Sequence, residues 1–350
     1  MDERVALIAL SRLRRVSNIV KRDIALSFDN IGDLFEKKVG CLDGAVRSAA
    51  SSFKGWGKIE SDLKVLDSMG GRIATIRDAE YPPLLKHIPD APVVLYKKGS
   101  LDAGCNMLAI VGSRRATFEG MNLAEKIAET LSSVGITVVS GFARGIDSSA
   151  HKGAVKGNGG TVAVFGCGVD VCYPPENRQL YGHIAEKGLL ISEYGPQEEP
   201  LPFHFPERNR IIAGLSKGIL VIEASKKSGS LITARLGLEY GREVMAIPGS
   251  VFRDEYRGAN ALIKQGAKLV ENIDDIVSTC FPGLVLKPKE PANINREEER
   301  IFSIIGALKI HVDEVIEKSG MAAKQVMAIL TKLEMKELIR ETPGGFYMKR

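Results

Sequence analysis

The 350-residue sequence predicts an α/β fold: a doubly wound parallel sheet, with a helical domain before it and a small winged-helix-like domain after it. Three observations predict this. Short apolar, β-branched runs alternate with amphipathic stretches between residues 107 and 278, the pattern of repeated βα units. Those runs are nearly continuous instead of alternating, as expected for strands covered by helices on both faces. The flanks read differently, with helical spacing before residue 80 and three helices and a hairpin after residue 296.

Along 1–80, Leu7, Ile8, Leu10 and Leu13 fall near helical spacing with arginines among them, and 43–53 and 58–69 add two more helices. No strand alternation is visible there, and Gly32, Gly40 and Gly70-Gly71 punctuate the segment. Its lysines and arginines read as a solvated face. Tyr81-Pro-Pro-Leu and Asp90-Ala-Pro-Val-Val-Leu-Tyr96 mark the passage into an extended segment. Strands are then expected at 107–111, 137–140, 161–165, 189–191, 218–222, 244–247 and 268–269. Helices are expected at 118–134, 147–155, 176–186, 209–215, 231–240, 259–265 and 273–278. The domain closes at 282, and the Pro- and Lys-rich stretch 283–295 reads as a linker. Three helices (297–305, 312–318, 322–338) and a Pro-Gly-Gly hairpin at 340–347 complete a winged-helix pattern over 296–350.

Composition is that of a globular protein, 44% hydrophobic and 26% charged. A net charge of +5 permits an acidic partner without requiring one. No apolar run is long enough to span a bilayer, so no membrane contact is expected. Met-Asp-Glu-Arg at the start lacks a signal-peptide pattern. Five scattered cysteines (41, 105, 167, 172, 280) suit reduced thiols in a cytoplasm. Cys167 and Cys172 lack zinc-site spacing, and neither a metal nor a cofactor is expected.

Ligands of open α/β sheets bind beyond the carboxyl ends of the strands. The stretch Ser140-Gly-Phe-Ala-Arg-Gly-Ile-Asp-Ser-Ser-Ala-His151 is a strand end, a glycine turn and a helix start. Gly141 and Gly145 allow the sharp turn around Phe142 and Ala143, and Arg144 adds a fork suited to phosphate. Gly112-Ser113-Arg114 follows the first strand with amides, a hydroxyl and a charge. Tyr173-Pro-Pro-Glu-Asn177-Arg178 follows the third, Arg208-Asn209-Arg210 the fourth, and Ser228-Gly229-Ser230 with Thr233 the fifth. So many anion-type pockets on one rim suit a polyanion better than a mononucleotide. Tyr173, Phe142, Phe203 and Phe205 are of a kind that stacks on bases, or else they pack in the core. Arg208 and Arg210 either grip phosphate or bridge to Glu193 or Glu207 to fix the fold. Asp147 reads as a helix cap, and with His151 one turn on it forms either a catalytic couple or a capping and packing pair. Lys226-Lys227 reads as a solvated turn. Gly-x-Gly-x-x-Gly, Gly-x-x-x-x-Gly-Lys-Ser/Thr and His-Glu-x-x-His are absent, and no nucleophile with a matched base is evident.

Taken in order, Gly112-Ser-Arg114, Ser140 to His151, Ser192-Glu-Tyr-Gly-Pro196, Phe205-Pro-Glu-Arg-Asn-Arg-Ile-Ile-Ala213, Ser228-Gly-Ser-Leu-Ile-Thr233 and Ile247-Pro-Gly249 resemble the DprA/Smf family (DNA-processing protein A). The likeness spans roughly residues 80 to 280, and the motifs are specific together although weak singly. The flanks resemble that family's plan less specifically, with a SAM or helix-hairpin-helix-like module first and a winged helix last. The resemblance implies a Rossmann-like, non-enzymatic domain that binds single-stranded DNA without strong sequence preference. It implies homodimers, and loading of the RecA recombinase onto incoming strands during natural transformation. By position, Gly112, Ser113 and Arg114 would hold a phosphate, and Gly141, Phe142, Ala143, Arg144 and Gly145 would line the same pocket. Asn177, Arg178, Arg208, Asn209, Arg210, Ser228, Gly229 and Ser230 complete the expected DNA contacts. Some members carry a lysine beside the third-loop Tyr-Pro; it is missing here, and Arg178 stands in from a turn away.

Two other functions compete. One is a nucleotide-processing hydrolase of the nucleoside monophosphate phosphoribohydrolase kind, using the same rim. Its Pro-Gly-Gly-x-Gly-Thr stretch with a glutamate is lacking near 228–233. The other makes the C-terminal module a duplex reader, but 296–350 mixes acids with bases and shows no basic recognition stripe, which suits protein contact instead.

Overall fold

A computed structural model describes residues 1–36, 43–101, 104, 106–284, 294–306, 309–336 and 338–349. The chain forms two units, Met1–Leu284 and Val285–Arg350. Cys41, Cys105 and most of the expected linker at 283–295 lie outside the described residues.

The first unit opens with five helices: α1 (Glu3–Ser11), α2 (Asn18–Ser27), α3 (Asp33–Glu36), α4 (Gly44–Ser51) and α5 (Trp56–Ser68). Leu7, Leu10, Leu13, Ile59 and Leu66 are buried in the hydrophobic cluster that also holds Val94, Val111, Val164 and Val221 of the sheet. Arg12 ties these helices down with Nη2, which donates to Asp62 Oδ2 at 2.6 Å and to the Tyr96 hydroxyl at 2.8 Å.

A strand follows where none was expected. β1 (Arg72–Thr75) pairs antiparallel with β2 (Val94–Gly99), Arg72 opposite Lys97 and Thr75 opposite Val94. Four residues are too few to show an alternation, and Gly70-Gly71 just before them reads as a break in the sequence. α6 (Pro83–Lys86) lies between the two strands. β2 is also antiparallel to its other neighbour, so the sheet is mixed at this edge and parallel beyond it.

The parallel part runs β3 (Met107–Gly112), α7 (Phe118–Ser133), β4 (Thr137–Ser140), α8 (Ile146–Ala154), β5 (Thr161–Phe165), α9 (Arg178–Lys187) and β6 (Leu189–Ser192). It continues with α10 (His204–Leu215), β7 (Gly218–Ile222), α11 (Ser230–Glu239), β8 (Glu243–Ala246), α12 (Arg257–Lys264), β9 (Lys268–Leu269) and α13 (Ile273–Cys280). Among the described residues the order is β1-β2-β6-β5-β4-β3-β7-β8-β9. The order reverses at β3, which pairs with β4 on one side and β7 on the other, Leu108 lying opposite both Val138 and Gly218. This is a Rossmann-like doubly wound sheet, and its switch point lies between the carboxyl ends of β3 and β7. β4 to β7 are buried along their whole length, which explains their unbroken apolar runs.

The second unit contains α14 (Arg296–Ile304), β10 (Ile310–His311), α15 (Val312–Ser319), α16 (Ala323–Met335), β11 (Ile339–Thr342) and β12 (Phe346–Lys349). Its strands order as β10-β12-β11, and Ile301, Val315, Leu330 and Leu333 lie in its own core. The asparagine–glutamate capping box at Asn295 and Glu298 starts α14. The whole is a winged helix.

Candidate nucleic-acid interface

The first two strand-end loops lock together before any ligand is considered. Ser113 donates its amide to the Glu223 carbonyl at 2.7 Å, and its own carbonyl accepts from Ile146 N at 3.2 Å. Gly145 has φ +75°, and a Cβ there would stand 2.3 Å from the Ser113 oxygen, so only glycine fits. The Ser113 amide, expected to face a phosphate, is thus committed to the protein. Its hydroxyl accepts from Arg115 N at 3.1 Å, which leaves the O–H proton for a ligand.

Arg208 organises the second loop from below. It is 3% exposed and donates through Nη1 to the carbonyls of Gly141, at 2.6 Å, and Val164. A side chain at Gly141 would meet Arg208 Nη2 at 2.6 Å and Asp147 Oδ2 at 2.7 Å. Burial pushes the Arg208 guanidinium down to about 10, partly offset by Asp147. Asp147 does not cap α8, whose cap residue is Gly145. Its Oδ2 instead accepts from the amides of Gly141, 3.2 Å, and Ala143, 3.4 Å. Burial raises its carboxyl above the usual range although Arg208 opposes this.

His151 takes no part in a couple with Asp147. Its Nδ1 lies 2.7 Å from Thr161 Oγ1, whose hydroxyl donates to Val138 O at 2.7 Å. The imidazole therefore carries its proton on Nδ1. Its Nε2 is buried without a partner, and burial holds the ring near a pKa of about 3, hence neutral. The pair is a packing device, one of the two alternatives open from the sequence.

At the switch point the loops enclose a cleft of about 550 Å³. Of the sequence-derived residues, Gly112, Ser113, Arg114, Ala143, Arg208, Asn209, Ser228, Gly229 and Ser230 line it together. Arg115 and Lys227 line it too, so Lys227 is part of the cleft and not merely a solvated turn. Arg114 is exposed, has no acidic hydrogen-bond or salt-bridge partner among the described residues, and sits 5.5 Å from the Phe205 ring centroid. Phe205 packs against Tyr173, 5.5 Å between centroids, and Phe203 is 58% exposed, so these rings are at the surface and not in the core. Asn209 donates to Gly229 O at 3.3 Å, joining α10 to the fifth loop. Ser228 and Ser230 share a hydroxyl hydrogen bond of 2.7 Å. Asp254 and Glu255 form the acidic wall.

The other expected residues stand elsewhere. Phe142 is buried at φ +59°, with its ring 4.9 Å from Phe165. Asn177 holds it there, donating to Phe142 O at 3.1 Å and to Ser148 Oγ at 2.8 Å. Gly141 and Gly145 shape the turn without lining the cleft. Arg144 is exposed and paired with Glu176 of the third loop. Arg178 is exposed at the start of α9. Arg210 is 4% exposed and paired with Glu193, which is the bridging alternative. Arg210 and Arg208, two residues apart, thus face different surroundings from opposite sides of one helical turn.

Among the described residues no set of three His, Cys, Asp or Glu side chains gathers as a metal site, and no helix is long and apolar enough to cross a membrane.

Comparison with known proteins decides the family. The model for DNA recombination-mediator protein A matches residues 72–281, and that for the DprA winged helix domain matches 286–345. The chain belongs to the DNA recombination-mediator protein A (DprA/Smf) family. It is 38% identical over 303 residues to protein Smf of Escherichia coli, covering 83% of this chain and 81% of that protein. It is 47% identical over 205 residues to the DNA processing protein DprA of Streptococcus pneumoniae, covering 58% of this chain and 72% of that one. The solved structure of the S. pneumoniae DprA aligns with TM-score 0.62 and 36% identity over 78% of this chain and 95% of that chain. A Helicobacter pylori DprA structure, described for its single-stranded DNA binding mode, aligns with TM-score 0.54 and 30% identity over 59% and 95%. The family match begins at residue 72, the first residue of β1.

Proposed function

We propose that the chain is a non-enzymatic, single-stranded DNA-binding protein that shelters incoming DNA and loads the RecA recombinase during natural transformation, as a cytoplasmic homodimer. The observation that carries this reading is the switch-point cleft, where exposed Arg114, Arg115 and Lys227 face one space with the Ser113 and Ser228 hydroxyls. Cations of this kind can track a phosphate backbone, and contacts to phosphate carry no sequence information. Phe205 and Tyr173, beside Arg114, offer ring faces to bases, which is sequence-tolerant because every base has one. The family membership supports the reading, as does the single-stranded DNA binding described for the H. pylori relative.

In this reading Ser113, Arg114, Asn209, Ser228, Gly229 and Ser230 meet the strand. Gly141, Phe142, Ala143, Gly145, Asn177 and Arg208 hold the frame, and Arg144 and Arg178 are outer contacts. Arg210 is held by Glu193, outside the cleft. Catalysis is disfavoured because the buried acid of the cleft, Asp147, already accepts two backbone amides. Residues 1–80 act as an accessory module, and the winged helix makes protein contacts.

A salt-titrated comparison of single- and double-stranded oligonucleotides, with nucleoside monophosphates as competitors, tests this. Single-strand preference without competition is expected. Release of free base from the monophosphates would instead establish the hydrolase reading.

A further inference from the structure

A second cavity lies beside the cleft. It is a groove of about 1700 Å³ between the N-terminal helices and the first turns of α10 and α11. Pro206 and Ile232 line both spaces, so the two adjoin across a single ridge. The groove lacks the glycine-rich turns of the cleft, and the Ser192–Pro196 and Phe205–Ala213 motifs supply Glu193, Tyr194, Pro206, Glu207 and Arg210 to its wall.

Its chemistry is that of an anion site. Arg14, Arg15 and Lys54 are exposed on its walls, with no acidic partner among the described residues. Arg15 connects α1 to α2 at φ +62°, a conformation that costs a non-glycine residue energy and that clusters at functional sites. On the floor, Arg210 is buried; its Nη1 and Nε have no hydrogen-bond partner, although Nε lies 3.9 Å from Asp90 Oδ2. A buried guanidinium with unmet donors is costly unless something else meets them. Lys21, beside it, donates to Ser11 O at 2.8 Å, and burial lowers its ammonium below the ordinary value, which an incoming anion would reverse. Most acids around the groove are already held. Glu193 pairs with Arg210, Asp90 accepts from the Tyr240 hydroxyl at 2.7 Å, and Glu207 accepts from the Tyr194 hydroxyl at 3.0 Å; Glu198 is the exception.

We propose that this groove is a second polyanion site, which takes the sugar–phosphate backbone of the same single strand after it crosses the Pro206–Ile232 ridge. The inference rests on the single-strand reading of the cleft. It makes the N-terminal helices part of the DNA path, and it makes affinity depend on strand length in two stages.

Fluorescence anisotropy with the full chain and two oligothymidylates tests it. One, of roughly six nucleotides, is short enough for the cleft alone, and the other, of roughly twenty, is long enough for both. The groove variant combines Arg14→Ala, Lys54→Ala and Arg15→Gly, the last keeping the positive φ. It is expected to leave the short oligomer unaffected, to weaken the long one at least roughly tenfold, and to flatten its salt dependence by about two. Arg114→Ala is expected to weaken both. If the groove variant binds the long oligomer as the parent does, with the same salt slope, the groove is not on the path, whatever Arg114 does. If Arg114→Ala changes neither oligomer while the groove variant weakens the long one, the groove stands and the cleft reading falls. Should the triple variant melt early, Lys54→Glu alone, at an exposed position, is the second probe. Loss confined to the long oligomer is expected, and no loss overturns the proposal.

Discussion

Arg208 and Arg210 are 3% and 4% exposed on α10, whereas Arg114 and Arg115 stand open in the loop after β3. All four belong to arginine pairs that look alike in sequence, Arg114-Arg115 after Ser113 and Arg208 and Arg210 on either side of Asn209. Their surroundings assign them opposite work. Arg208 donates through Nη1 to the carbonyls of Gly141 and Val164, beside the buried carboxylate of Asp147. It is a strut that sets the second loop. Arg114 has a ring beside it and no acid bonded to it, so its donors remain for a ligand. Burial, and not residue type, separates the guanidinium that builds the site from the one that uses it.

The largest test of this contrast is Arg208→Ala. It would leave Asp147 buried without its main counter-charge and two carbonyls without their donor. Removing one partner of a buried pair typically costs about 3–5 kcal/mol. Denaturant unfolding of the first unit should show a loss of this order, and an unchanged midpoint would make Arg208 dispensable to the frame. Arg210→Ala, which strands Glu193, should also destabilise strongly.

Acid offers the next test. His151 has a folded pKa of about 3 against an ordinary 6.5. The sign follows: the group's contribution is fully present above 6.5 and is lost as pH falls from there towards 3, because the unfolded chain takes up the proton first. The loss reaches on the order of 5 kcal/mol, at about 1.36 kcal/mol per pKa unit. His151→Gln should flatten stability against pH over that window. A parallel acid limb in the variant would place the sensitivity elsewhere.

Arg144 sharpens the comparison at its weak end. Its pairing with Glu176 is an exposed one, so Arg144→Ala should leave the melting temperature unmoved and at most slightly lower single-strand affinity. A marked loss of stability would make Arg144 a strut like Arg208.

The strand-end motifs were legible because α/β sheets confine ligands to one rim and because the loop order follows chain order. Gly112-Ser113-Arg114 and Ser228-Gly229-Ser230 could therefore be expected to meet, and they do. What stayed hidden was decided by contacts distant in sequence. The bridge from Arg210 to Glu193 was visible as an alternative, but the choice depends on burial, which periodicity does not report. Phe142 looked like a base platform and lies against Phe165, held by Asn177. β1 was too short to alternate. Lys227 was set aside as solvated because an exposed cation looks the same with or without a ligand. Its place directly before the Ser228 helix start was the signal that could have found it.

The central claim is that exposed cations at the switch point hold phosphates. Its most direct test is the salt dependence of single-stranded oligonucleotide affinity for the parent chain and for Arg114→Ala. Neutralising one phosphate contact should lower the slope of log affinity against log salt by about 0.7. Affinity should weaken roughly tenfold across unrelated sequences, with stability unchanged within about 0.5 kcal/mol. An Arg114→Ala chain with the parent's affinity and slope would contradict the account.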